Sequence, residues 1–183
     1  LIGFGIQDSI LPIVDKQSGQ LTHNDLTISL SDEKALTMEQ GLADTLDSSS
    51  AVHSWGAFYT KSTTLYNEEG GSADVSIVGA EDDARMTEYF TFRTRVGHDP
   101  IPFEEDSVIL TEKTALNLEL SVGDTFYVEA ADGSRVPLVL TGITENYMFT
   151  RLYLSNAQLQ ALLGSTPEWN TVYGLTGCTT EAE

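Results

Sequence analysis

Apolar residues change their spacing repeatedly along this chain, and each change marks an element. Ile6, Ile10, Ile13 and Val14 recur at three- and four-residue intervals, the stripe of a short helix. Pro12 inside that stripe requires a kink or a late start. Residues 17–24 read as a linker. Leu26, Ile28 and Leu30 then alternate with Thr27 and Ser29, the period of a half-buried strand. Ser31 is placed to cap a helix, with Asp32 and Glu33 in the first turn, where the helix dipole favours negative charge. Ala35, Met38, Leu42 and Leu46 continue at helical spacing until the serines at 48–50 end it. Residues 51–66, rich in aromatic residues and threonine, read as strand. Asn67–Ser72, with Gly70 and Gly71, reads as a turn, and Val75, Ile77 and Val78 as the next strand.

Beyond this β-α-β-β opening, Glu81–Arg85 reads as a charged break, Tyr89–Thr94 as a short strand and Gly97–Pro102 as a loop. Val108–Leu110 is predicted as a strand, with Thr111 capping a short helix that ends near Leu118. Ser121–Asp124 turns the chain into a strand over Thr125–Ala130. Asp132-Gly133, between two alternating runs, predicts a hairpin with a type I′ turn, which needs positive φ. Val136, Leu138 and Leu140 share one face of the return strand. Pro137 cannot donate to a ladder, so that strand is expected at an edge. Tyr147–Leu154 is predicted as the next strand. Ser155 and Gln158 then have capping-box spacing ahead of Leu159, Leu162 and Leu163, and Gly164 stops the helix. Thr171–Leu175 is the last predicted strand.

Two β-α-β halves therefore flank a β-rich insert. The expected fold class is α+β: a helix-covered mixed sheet with a small inserted β-rich subdomain. The expected division is a helix and linker over 1–23, a discontinuous α/β base from 24–85 and 146–183, and an insert over 86–145. No solenoid-period repeat and no low-complexity tract interrupts this order.

Composition narrows the function classes. A chain of 183 residues buries roughly 70% of its unfolded surface and needs no covalent staples. Its single cysteine, Cys178, rules out an intrachain disulfide and any cysteine-based zinc site. Asp and Glu number 28 against 9 Lys and Arg, a net charge of −19. Phosphate repulsion argues against nucleic acid as a partner, and against charge-driven docking on an anionic lipid surface. The acidity reads first as a solvated surface. No run of about 20 apolar residues is present to cross a membrane. Leu1, Ile2, Phe4 and Ile6 open the chain without a Met or a basic segment, so it is expected not to carry a signal peptide. That apolar opening is either a buried first segment or the tail of a hydrophobic helix.

The chain lacks GxGxxG, GxxxxGK[ST] and GxSxG, the local signatures of dinucleotide sites, nucleotide hydrolysis and the hydrolase nucleophile elbow. The 3 histidines, His23, His53 and His98, are far apart and have no ligand spacing. The acidic clusters Glu68-Glu69, Glu81-Asp82-Asp83 and Glu104-Glu105-Asp106 lack the ligand order of an EF-hand and read as solvated turns. Trp55, Phe58, Tyr59, Tyr66, Tyr89, Phe90 and Phe92 line either a ligand groove or a core, and aromatic residues in strands favour the core. No catalytic, cofactor-binding or metal-ligating residue is assigned, no cofactor is expected, and the chain is expected not to be an enzyme.

One ordered set of motifs carries a resemblance. Val108–Lys113 (VILTEK), Val122–Thr125 (VGDT), Leu140–Tyr147 (LTGITENY) and the helix over Ser155–Gly164 follow one another. This order resembles the extracytoplasmic domain of FtsX-like ABC transporter permeases, the MacB-like periplasmic core domain. The opening FGIQDSILPIVDKQ is similar to the segment after the first membrane helix in permeases of Gram-positive bacteria, and DLTISL to the first strand of their extracellular domain. The resemblance is weakest between Ser49 and Pro102. It implies a loop domain on the extracellular face of the cell membrane, with a membrane-proximal mixed α/β base and a β-rich insert further out. The implied partners are the transmembrane helices of the same permease and, through them, a cytoplasmic ATPase subunit. A peptide, lipid or protein substrate is also implied. The open alternative is a ligand-binding module of a secreted or surface protein.

Overall fold

The computed structural model describes residues 20–30 and 40–176. The stripe Ile6–Val14, the Ser31 cap with Ala35 and Met38, and Cys178 lie outside the described residues. Among the described residues, the strands are β1 (Leu26–Ser29), β2 (Val52–Tyr66), β3 (Ser72–Ala80), β4 (Val108–Thr111), β5 (Thr125–Glu129), β6 (Arg135–Val139), β7 (Gly142–Thr144), β8 (Arg151–Leu154) and β9 (Thr171–Thr176). The helices are α1 (Gln40–Ser48), α2 (Asp83–Tyr89), α3 (Glu112–Asn117) and α4 (Asn156–Leu163).

All the strands join one nine-stranded mixed sheet in the order β1-β9-β2-β3-β8-β4-β7. The hairpin β5–β6 attaches where Leu65 and Tyr66, at the end of β2, meet Val128 and Tyr127 of β5. Two contacts are parallel, β3 with β8 and β4 with β7. The α+β class and the mixed, helix-covered sheet are thus as the periodicity implies.

The central strands are apolar on both faces, and the sheet is covered on both. Along β4, Val108 and Leu110 face one apolar cluster and Ile109 the other; along β8, Leu152 and Leu154 oppose Tyr153 in the same way. Strands buried on both faces read as continuous apolar runs, which is why VILT and LYL do not alternate. On the first face, Ala115, Leu118, Leu159 and Leu162 from α3, α4 and their ends pack with Phe126 and Leu138 of the hairpin. On the second face, Met86 and Tyr89 of α2 join Phe58, Phe90, Phe92 and Tyr173. Here Phe58 lies 4.7 Å from Tyr173, Phe90 5.2 Å from Tyr153, and Phe92 stacks on Phe103 at 5.1 Å between ring centroids. The aromatic residues are therefore mainly core.

Several local expectations need correction. Glu81–Arg85 is no break: Asp82 accepts from Ala84 N at 2.9 Å and caps α2, with Asp83 in the first turn. Tyr89–Thr94 is not a strand, because Tyr89 closes α2 and the chain beyond it makes isolated bridges, Thr22–Phe90 and Arg93–Pro100. The strand predicted over Tyr147–Leu154 is only Arg151–Leu154, because Asn146 Oδ1 accepts from Met148 N and Phe149 N and turns the backbone there. The hairpin at Asp132-Gly133 forms, but its turn is not type I′. Gly133 alone has positive φ (79°), Gly133 N donates to Ala130 O at 2.9 Å, and Ala130 N donates to Ser134 O at 2.8 Å. That is a three-residue loop closed by a glycine bulge. Thr111 occupies the N-cap of α3 without a side-chain cap bond; its hydroxyl accepts instead from Arg151 N at 3.2 Å. At α4, Ser155 caps through Gln158 N at 3.2 Å, while Ser155 N donates to Ser107 O, so the reciprocal half of the capping box is replaced by a tertiary bond. Pro137 sits on β6, which pairs only with β5 among the described strands, as an edge position demands.

Helix α4 lies unusually close to β3. A Cβ on Gly79 would come 2.8 Å from Leu159 Cδ2 and 3.3 Å from Leu154 O. Leu159 itself is fully buried. Gly79→Ala is expected to lose about 1–3 kcal/mol through overpacking, and Leu159→Ala about 2–5 kcal/mol through a cavity. Because the two side chains compete for one space, urea unfolding of the double variant should show a loss smaller than the sum. A strictly additive loss would show that α4 does not rest on Gly79.

Candidate functional site

The only motif of the resemblance that places charge in the interior is Glu145-Asn146-Tyr147, just after β7. Its glutamate side chain is fully buried. A buried carboxylate needs donors around it, and Arg93 and Tyr147 supply them, with His98 nearby. Arg93 Nε donates to Glu145 Oε2 at 2.7 Å. Tyr147 donates its hydroxyl to Oε1. His98 Nε2 stands 3.9 Å from Oε2. Asn146 shapes the turn just after it, so each residue of the motif has its own structural task.

Backbone bonds bring Arg93 and His98 to this point. Arg93 N donates to Thr144 Oγ1 at 3.2 Å, and Glu145 N donates to Arg93 O at 2.8 Å. The stretch from Arg93 to Pro100 folds back on itself, with Thr94 N donating to Asp99 O at 2.9 Å. Gly97 (φ 88°) and His98 (φ 55°) both occupy the left-handed region at its tip. Histidine tolerates that conformation better than most residues with a Cβ, though at some cost. Arg93 Nη2 also donates to Gln20 Oε1 at 3.0 Å. Residues 20–23 in turn pair with the end of α2, through His23 N to Tyr89 O at 2.8 Å and Thr91 N to Leu21 O at 3.1 Å. Arg93 thus joins three segments: 20–23, 90–101 and the end of β7.

Burial alone would raise the Glu145 carboxyl, but the hydrogen bonds from Tyr147 and Arg93, and the charge of Arg93, outweigh it and hold its pKa below the ordinary carboxylate value. The bond to Glu145 pushes the Tyr147 phenol up. Both carboxylate oxygens are engaged, which suits a structural clamp and not a general base.

The other candidate residues are scattered. His23 Nε2 lies 2.8 Å from Thr91 Oγ1. His53 lines a cleft of ≈ 500 Å³ with Trp55, Glu81 and Arg85. Trp55 donates to Asp47 at 2.8 Å, and Tyr66 donates to Glu129 at 2.7 Å while carrying Arg135 over its ring. Ser54 Oγ donates to Glu88 at 2.5 Å and lies 2.8 Å from the Tyr89 hydroxyl; no histidine is bonded to it among the described residues. Of the acidic clusters, Asp82 caps α2 and Asp83 accepts from Asn156 N at 2.8 Å, tying α2 to α4. Groups of three or more metal-ligating side chains are absent among the described residues. The tie at Glu145 is not legible in the sequence because Arg93 and Glu145 are 52 positions apart.

No protein-family model and no curated protein sequence matches the chain. Solved structures do. The extracellular domain of the noncanonic ABC-type transporter YknZ from Gram-positive bacteria matches with a TM-score of 0.50 at 18% identity, over 84% of this chain and 83% of that one. The fold is that of this transporter domain. The resemblance carried by residues 107–164 is therefore borne out at the level of fold. The periplasmic region of MacB from Actinobacillus actinomycetemcomitans is also similar, with a TM-score of 0.49 at 13% identity, over 89% of this chain and 78% of that one.

Removing one member of a buried pair leaves the other charged and unpaired, at a cost of about 3–5 kcal/mol. Arg93→Ala should lose about that much at pH 7 in urea unfolding. Since the folded Glu145 pKa is depressed, its contribution is present above the ordinary carboxylate range and is lost as pH falls through the folded value. In Arg93→Ala the acid limb of the stability profile should therefore move to higher pH. An unchanged acid limb would show that Arg93 does not hold the carboxylate.

Proposed function

We propose that this chain is a non-catalytic extracellular loop domain of an ABC transporter permease, which passes force or occupancy between its outer surface and the membrane helices of the same permease. A cytoplasmic ATPase subunit would then be its partner through those helices. One observation carries this reading, on a fold shared with the YknZ extracellular domain. The first and last described strands, β1 and β9, lie side by side and antiparallel. Leu26 of β1 faces Gly174 of β9, Asp25 N donates to Gly174 O at 3.0 Å, and Thr176 N donates to Asp25 Oδ2 at 3.2 Å. A domain carried between two membrane helices needs its two connections side by side. Close chain ends are common in domains generally, so the shared fold is needed to give this geometry its meaning.

The Arg93–Glu145 tie supports the coupling half of the proposal. Residues 20–23, just ahead of β1, bond directly to the end of α2 and to Arg93. Displacing that segment displaces Arg93, and Arg93 is fixed to the end of β7 through Glu145. Within this reading, the division into a base (24–85 and 146–183) and an insert (86–145) describes chain order more than independent motion. Val108, Leu110, Phe126 and Leu138 of the insert share one apolar cluster with Ile77, Leu152 and Leu159 of the base.

The test uses the full-length gene product in its own membranes. An epitope within this domain should be cleaved by protease added to intact cells stripped of their wall, and a nucleotide-hydrolysing subunit should co-purify with the detergent-solubilised protein. Recovery of the protein in the soluble fraction, with no such subunit, would favour a secreted binding module and sink the permease reading.

A further inference from the structure

We propose that the cleft lined by Phe149 and Arg151, on the second face of the sheet, is a binding site for an anionic head group, carboxylate or phosphate, attached to a short apolar group. The site rests on geometry alone and does not depend on the permease reading.

Beyond the aromatic cluster, the second face of the sheet changes character. One step along β2, β3 and β9 from Phe58, Val78 and Tyr173 stand Thr60, Ser76 and Thr171. Together with Thr27 and Ser29 of β1, and with Val78, Tyr173, Met148–Thr150 and Arg151, they line a cleft of ≈ 390 Å³. Thr60 and Thr171 spend their hydroxyls on each other, at 2.7 Å. Ser29 and Ser76 bring two further hydroxyls to the lining.

Arg151 distinguishes this cleft. Arg85, Arg93 and Arg95 each hold a carboxylate at 2.6–2.7 Å. Arg151 has no ion pair among the described residues, and its Nη1 is buried without a hydrogen-bond partner. A guanidinium nitrogen out of water and without an acceptor is costly. The rest of the group has the Tyr153 hydroxyl as a hydrogen-bond partner and rings beside it, with Phe149 4.4 Å and Phe90 5.5 Å from the guanidinium carbon. Cation–π contact offsets part of the lost hydration but supplies no acceptor.

Charge complementarity fixes the sign of the ligand. The cleft beside Arg85 contains Asp47, Glu81 and Asp82, and the cleft beside Lys61 contains Glu129 and Asp132. The cleft beside Arg151 contains no carboxylate among the described residues, in a chain with 28 acidic residues against 9 basic ones. The remote negative charges are screened beyond about 8 Å at physiological ionic strength, so Arg151 sets the local field. An anion in this cleft would meet the Arg151 guanidinium and the hydroxyls of Ser29 and Ser76. The rim names the rest of the ligand. Met148 (52% exposed) and Phe149 (44% exposed) form an apolar lip directly over the charge. Such a lip repays contact with an apolar group joined to the head.

The 183-residue chain is titrated with hexanoate, hexyl phosphate, hexanol and inorganic phosphate, monitored through the Arg151 Nε resonance and the backbone amides of Ser29, Ser76 and Thr150. Hexanoate or hexyl phosphate, or both, should shift these signals with saturation, at least about tenfold more tightly than inorganic phosphate. Hexanol should leave them in place. Preference for one head over the other identifies a carboxylate or a phosphate source, and either supports the site. Arg151→Met should weaken binding about tenfold or more, as expected for loss of a charged hydrogen bond. Equal shifts with hexanol, no saturable shift with either anion, or undiminished binding by a folded Arg151→Met variant would each overturn the proposal. Should Arg151→Met fail to fold, the comparison of hexanoate with hexanol on the unaltered chain decides alone.

Discussion

A sheet with apolar side chains on both faces must be covered twice, and this requirement organises the rest of the molecule. Strands β3, β8 and β4 present Ile77, Leu152 and Leu110 to one side and Val78, Tyr153 and Ile109 to the other. The first cover is regular: α3, α4 and the β5–β6 hairpin bring their own satisfied backbones to it. The second is regular only over α2. Past Tyr89 it continues as irregular chain through Phe90, Phe92 and Phe103. Irregular backbone laid on an apolar surface must find partners for its peptide groups one by one. Here they come from residues 20–23, from Thr144 and Glu145, and from the fold-back between Arg93 and Pro100.

The buried ion pair is a consequence of the second cover. A buried pair rarely adds stability over an apolar replacement of the same shape, because two charges must leave water. What it supplies is discrimination. Arg93 can satisfy Glu145 in one register of the 90–101 segment only, and a slip would leave a fully buried carboxylate without its cation. Rings pack in many ways; Phe90, Phe92, Tyr153 and Tyr173 meet at tilted and perpendicular angles alike. An aromatic cover needs something directional to choose among those packings, and a carboxylate shared by a guanidinium and a phenol is directional.

What could be read from the sequence divides along the same line. The hairpin at Asp132-Gly133, the edge position of Pro137, the cap at Ser155 and the stop at Gly164 were legible because each is a local conflict with a local solution. Helix α2 was legible in principle. Asp82 and Asp83 precede Met86, Tyr89 and Phe90 at helical spacing, but three adjacent acidic residues read more readily as a solvated turn. Strand β7 has three residues and exists because β4 lies beside it, so no window centred on it could find it. The tie at Glu145 was illegible for a stronger reason. Nothing in GITENY says that the glutamate points inward until the cation from Arg93 is in place. The motif marked the position, and the chemistry needed the fold.

The two covers also differ in how they can yield. The first is one continuous apolar cluster reaching from Ala57 and Ile77 through Phe126 and Leu138 to Leu162 and Trp169. Separating any part of it exposes apolar area in proportion to the displacement, and close-packed cores resist this throughout their volume. The second cover joins a buried aromatic cluster to a few directional ties, of which the Arg93–Glu145 pair is the most deeply buried. Displacing the 93–100 fold-back away from the end of β7 would separate that pair. The buried carboxylate must then find water or a proton. The proposed coupling role would draw on that penalty, because a buried charge without its partner is strongly disfavoured. The face of the sheet that carries this cover also carries the cleft at Arg151. A ligand seated beside Phe149 would press on the turn set by Asn146, and Asn146 is the residue next to Glu145 in the chain. Met148, the first of the cleft residues on this turn, is three residues from Glu145 in the chain, so a ligand bound there would have a short covalent route to the tie.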